Sequence, residues 1–109
     1  MTAAEILARA ADLVDESWAQ GDANINYDGG PYCAGVALNK AAKGQVWGMH
    51  EDRDVVDTVM PKSPADQAWR AFCLEIGVTR IDNIPIYNDT PGRTQAEVAA
   101  DLRNAKRWL

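Results

Sequence analysis

The sequence predicts an all-α fold, and three observations carry that prediction. Apolar residues recur at steps of three and four in four separate segments. Most of these segments open on a residue pattern that caps a helix, such as Thr2 with Glu5 or Thr94 with Glu97. The one stretch rich in β-branched residues, "VTRIDNIPIY" (78–87), has no second stretch to pair with as a strand.

The first helix is expected over about 3–20. Ile6, Leu7, Ala10, Leu13, Val14 and Trp18 share one face, Thr2 and Glu5 form a capping box, and Gly21 is placed to end it. A second is expected over 31–43, with Pro31 at the first helical position and Lys40 and Lys43 near the negative end of the dipole. Val55, Val56, Val59 and Met60 suggest a short extra helix near 54–60, cut off by Pro61. The third, over 64–76, starts at Ser63-Pro64, buries Trp69, Phe72, Cys73 and Ile76, and stops at Gly77. "VTRIDNIPIY" reads as one extended segment. The fourth main helix, over 94–108, follows a Pro91-Gly92 turn and lines up Val98, Leu102, Ala105 and Leu109. No repeat, low-complexity tract or long linker divides the chain, so residues 1–109 are expected to form a single helical domain.

Composition narrows the function classes. With 109 residues, 47% of them hydrophobic and 25% charged, the chain has ordinary globular composition. A net charge of −5 argues against nucleic-acid binding, where phosphates reward clustered Lys and Arg. No apolar run approaches the roughly 18 residues of a membrane span. The N-terminus "MTAAEILARA" lacks the pattern of a secretory leader, and two cysteines 40 positions apart make no disulfide framework. These features imply a cytoplasmic protein that contacts no membrane.

Sites are scarce. "DANINYDGG" (22–30) places Asn24, Asn26, Asp28 and Gly29 like the start of a calcium loop, but Gly35 stands where a bidentate Glu is needed and Pro31 interrupts. No zinc spacing exists and no cofactor is implied. Cys33, in the first turn of the expected second helix, could act as a nucleophile with His50 as base and Asn88 or Asp89 orienting it. A small buried residue explains Cys33 as well, and no catalytic residue is assigned. Cys73 falls on a core position. Trp18 and Trp69 have core spacing, whereas Trp47 and Trp108 lie outside the stripes. Trp47 with Glu51, Asp52 and Asp54 of the acidic segment "HEDRD" is the expected contact surface for a protein partner of unknown identity. In "YNDTPGRTQAEV", Asn88 and Asp89 are expected to turn inward and bond main chain, holding the fourth helix that Thr94 and Glu97 begin.

These last residues resemble a known pattern. "YNDTPGRTQAEVAADLRNA" is similar to the C-terminal signature of an uncharacterised family of small actinobacterial and actinobacteriophage proteins, through Tyr87, Asn88, Asp89, Thr94, Glu97, Val98, Leu102 and Ala105. "YCAGVALNKAA" resembles its cysteine-bearing helix start at Cys33, Ala37 and Leu38, with a fainter echo in "SWAQG". The family usually has Trp where Tyr87 stands, and its Gly falls one position after Gly35. The resemblance implies a fold and a phage or actinobacterial setting, but no activity and no matching histidine. The expected function is therefore that of a small non-enzymatic, protein-binding accessory factor acting on a host component. The alternatives are a cysteine-dependent hydrolase or transferase using Cys33, and a helical domain that binds a small ligand between its helices.

Overall fold

A computed structural model describes residues 1–43 and 61–109. Within them lie five α-helices: α1 (Ala3–Glu16), α2 (Ala34–Ala41), α3 (Pro64–Ile76), α4 (Ile84–Asn88) and α5 (Gln95–Asn104). Short 3-10 turns cover Asp22–Asn24, Ile81–Asn83 and Ala105–Trp108. No strand occurs among the described residues; one isolated parallel bridge joins Trp18 to Tyr32. The protein is all-α. The extra helix expected near 54–60 lies outside the described residues.

Helix α1 is the centre of the packing, touching α2, α3 and α5. Its capping box is complete. Thr2 Oγ1 accepts from Glu5 N–H at 3.1 Å, and Glu5 Oε1 accepts from Thr2 N–H at 2.9 Å. The bonds from Thr2 hold the Glu5 carboxyl below its ordinary pKa. Ile6, Leu7, Ala10, Ala11, Leu13 and Val14 are buried along one side. Against them pack Leu38 of α2, Phe72 of α3, and Val98 and Leu102 of α5. Each large side chain in this core contributes about 1.5–3 kcal/mol by leaving water. Alanine supplies many of the remaining core positions, Ala34, Ala37 and Ala41 among them, so helix axes can approach closely.

Several boundaries differ from the sequence reading, each for a local reason. Helix α1 stops at Glu16 rather than near 20, because Ser17 is already extended and Trp18 joins the bridge to Tyr32 instead of continuing the helical stripe. The carbonyls left open at its end are taken by Gln95, whose Nε2 donates to Val14 O (2.7 Å) and Asp15 O (3.1 Å). Helix α2 starts three residues beyond Pro31. Cys33 is its N-cap, with Sγ accepting from Val36 N–H at 3.4 Å, while Pro31 O accepts from Asn26 N–H and closes the preceding loop. Helix α3 runs as expected from Ser63 and Pro64, and Val78 N–H closes onto Cys73 O past Gly77.

The stretch expected to be extended is helical instead. Ile81 and Ile84 stand one turn apart and both are buried, with Tyr87 and Asn88 a turn further on. Pro85 sits in the first turn of α4, where a missing N–H costs nothing. Burial at helical spacing overrides β-branched propensity here. Helix α5 ends at Asn104 and tightens into a 3-10 turn, so Leu109 leaves the buried stripe and is 46% exposed. Thr94 caps α5 by accepting from Glu97 N–H, but Glu97 meets the Thr94 hydroxyl and Arg93 rather than the cap amide. That box is half formed.

Candidate functional site

The polar focus of the molecule is Asn88, the last residue of α4, which is wholly buried. Its Oδ1 accepts from Trp18 Nε1 at 2.8 Å and from Ala34 N–H, the first amide of α2, at 3.0 Å. Its Nδ2 donates to Ala19 O and to Asp89 Oδ1, both at 3.1 Å. All four hydrogen-bonding positions of the amide are used. Gln20 reinforces the junction by donating to Asn88 O (3.0 Å) and Thr90 O (2.9 Å), and Asp89 Oδ1 accepts from Gly21 N–H at 2.9 Å. Asp89 itself is exposed, contrary to the expectation that it turns inward, although its Oδ1 does bond main chain at Gly21 as well as the buried Asn88 amide. The pair therefore ties the end of α1 to the start of α2 and leaves α5 to its own cap.

This geometry bears on the cysteine reading. Cys33 caps α2 next to Ala34, whose N–H donates to Asn88, and its thiol feels the Asp89 carboxylate; His50 lies outside the described residues. Burial pushes the Cys33 thiol up, the Val36 amide opposes the shift, and the Asp89 carboxylate adds to it. A thiol held in its protonated form is a poor nucleophile at neutral pH. The saturated amide of Asn88 has no lone pair or proton left to orient an imidazole. Cys73 is buried in the core, and desolvation alone pushes it up to about 12. Among the described residues no group of three His, Cys, Asp or Glu side chains is arranged to hold a metal.

Tyr87, one residue before the hub, is buried against Phe72 edge to face, with centroids 5.6 Å apart. Its hydroxyl donates to Asp101 Oδ2 at 2.5 Å, and Arg93 stacks 4.1 Å from the ring centroid while donating to Tyr87 O. Burial first, then the bond to Asp101, raises the phenol above its ordinary pKa. This cluster joins α4 to α5.

The surface next to the hub is different. A groove of about 360 Å³, open to solvent, runs between α2, α3 and α4. Val36, Gly35, Trp69 and Pro85 give it an apolar lining, and Asp22, Asn39 and Cys33 complete it. Gly35 lies next to Trp69, and a Cβ there would meet the indole at 3.6 Å, an ordinary contact. Beyond Pro85, Ile86 is 68% exposed. None of these groove residues except Cys33 was singled out by the sequence as a surface feature. Pro85 and Ile86 could have been, since an apolar pair flanked by Ile84 and Tyr87 at helical spacing must face outward.

The expected contact residues Trp47, Glu51, Asp52 and Asp54 lie outside the described residues. Trp108, the other tryptophan read as peripheral, is 43% exposed and donates Nε1 to Glu75 Oε1 at 2.9 Å. Among the described residues, no helix is long and apolar enough to cross a membrane.

Fold and surface together define a small all-α protein whose polar residues mostly serve its own main chain. The chain belongs to DUF6197, a family of unknown function whose model matches residues 1–107. No curated protein and no solved structure matches it.

Proposed function

We propose that this protein is a non-enzymatic accessory factor that works by binding another protein, and that it seats an apolar side chain of its partner in the groove between α2, α3 and α4. The groove supports this reading: it combines the apolar Val36, Trp69 and Pro85 with the polar Asp22 and Asn39, and protein contacts mix apolar and polar side chains in this way. The exposed Ile86 extends the apolar surface past Pro85. Trp47 with the acidic side chains of Glu51, Asp52 and Asp54 would add an aromatic anchor and a charge that suits a basic or mixed patch. The similarity of the C-terminal residues to actinobacterial and actinobacteriophage sequences supports a phage-encoded factor acting on a component of the host cytoplasm.

The test places a photo-crosslinking amino acid at Ile86 and, separately, at Ala100 on the exposed side of α5. Both proteins are irradiated in an actinobacterial lysate. The expected result is an adduct with one host protein from position 86, absent from position 100 and competed away by unlabelled protein. No adduct from position 86, or the same adducts from both positions, would remove the groove from the reading.

A further inference from the structure

Between α1 and α2 the chain makes an excursion over Asp22–Gly29 whose attachment to the helices is unusually sparse. Residues 22–24 and 26–29 are exposed. Their main-chain bonds stay local: Asn24 N–H to Gly21 O, Ile25 N–H to Asp22 O, Gly30 N–H to Asn26 O, and Asn26 N–H to Pro31 O. Asp28 N–H is satisfied by Asn26 Oδ1. Among the described residues, the hydrogen bonds from 25–29 to a helix come from one side chain, Lys40 of α2. Its ammonium donates to Tyr27 O at 3.3 Å and to Asp28 O. It also lies 5.9 Å from the Tyr27 ring centroid and 5.3 Å from that of Tyr32.

The ends of the excursion are built as pivots. Gly21 and Gly30 both hold positive φ, 83° and 79°, where a side chain is strained. At Gly30 the space is closed as well: a Cβ would stand 3.0 Å from Ser17 Cβ and 3.1 Å from the Tyr32 ring. Outside the pivots the chain is firmly held, by Gln20 on Asn88 O and Thr90 O and by Tyr32 N–H on Ser17 O at 3.0 Å. Asn24 Nδ2 on Gln20 O and Asn26 N–H on Pro31 O close the two ends, and a single cation ties the middle to a helix, which makes a hinged element.

We infer that residues 22–29 form a strap latched to α2 by the Lys40 ammonium, and that losing this charge releases the strap without unfolding the helices. The strap and the groove share α2: Asp22 lines the groove, as does Asn39, the residue before Lys40. Release withdraws Asp22 from the groove and bares the outer face of α2, so the groove lengthens toward Tyr32. The latch is a property of the free protein and holds whatever occupies the groove.

The test is amide hydrogen exchange on the full chain, comparing the parent with Lys40→Met, which keeps the alkyl stem, and Lys40→Arg, which keeps the charge. Lys40→Met should speed exchange of the Asp28 and Gly30 amides about tenfold while amides of α1, α3 and α5 keep parental rates. Lys40→Arg should restore most of the protection. Tyr27→Ser, at an exposed position that leaves the fold alone, should give a smaller acceleration confined to the same amides. Unchanged exchange at Asp28 and Gly30 in both Lys40→Met and Tyr27→Ser, or an equal rise across all helices, would overturn the latch.

Discussion

Replacing Asn88 by Ala should be among the most damaging single changes available in this chain. The magnitude follows from what the amide leaves behind. Ala34 N–H is fully enclosed and has no water to turn to, so its loss of Oδ1 costs about 2 kcal/mol. Trp18 is half-buried, and its indole N–H can recover part of its bond from solvent, which limits that cost to about 1 kcal/mol. Ala19 O and Asp89 lie toward the surface and contribute little. The sum, about 3 kcal/mol, is a large share of the 5–15 kcal/mol that hold a typical small domain. It corresponds to a midpoint about 15 °C lower for a chain of this size. Urea unfolding followed by circular dichroism measures it as a shift in midpoint at constant slope. A variant within about 1 kcal/mol of the parent would refute the claim that this amide holds the α1–α2–α4 junction.

Tyr87→Phe removes the bond to Asp101 and should cost about 1 kcal/mol near neutral pH. Its pH dependence is the sharper test. Because the folded phenol is raised above its unfolded value of about 10, the parent keeps this stability below pH 10 and loses it as pH climbs beyond. The Phe variant should lack that part of the alkaline decline, and parallel curves for the two proteins between about pH 9 and 12 would contradict the assignment. For the thiols, iodoacetamide at neutral pH should label Cys33 more slowly than an unstructured peptide thiol, and Cys73 only on unfolding. Rapid, selective alkylation of Cys33 in the folded protein would reopen the cysteine reading.

Much of the helical framework was legible because its signals are local. Thr2 with Glu5 marked the start of α1, Ser63-Pro64 the start of α3, and Thr94 the start of α5, since each cap acts within three residues of itself. The errors fell where distant contacts decide. Trp18 has the spacing to extend α1, yet its indole is claimed by Asn88, 70 residues away, and the chain turns extended to reach it. Cys33 caps α2 with a weakly accepting sulfur, a role that sequence rules reserve for oxygen-bearing side chains. Ile81, Ile84 and Tyr87 do carry a helical period, but it is short and lies under β-branched composition and a proline. Apart from Cys33 and the outward-facing Pro85, the groove could not be assembled from the sequence, because α2, α3 and α4 meet there from three separate parts of the chain.

The seam between α1 and α5 has a consequence for how the protein is made. Gln95 completes the end of α1 across 81 residues, and Arg103 reaches Asp12 and Asp15 at 3.0 and 2.6 Å across 91 and 88. Val98 and Leu102 are buried in the same core as Leu7 and Val14. During synthesis α2 and α3 can cover part of the apolar face of α1, but the side that faces α5 must wait before the core closes. At about 5–20 residues per second, the 81 residues from Val14 to Gln95 take several seconds to add. Throughout that interval α1 can pack only against α2 and then α3, and the side that α5 will cover stays open to other apolar surfaces in the cell.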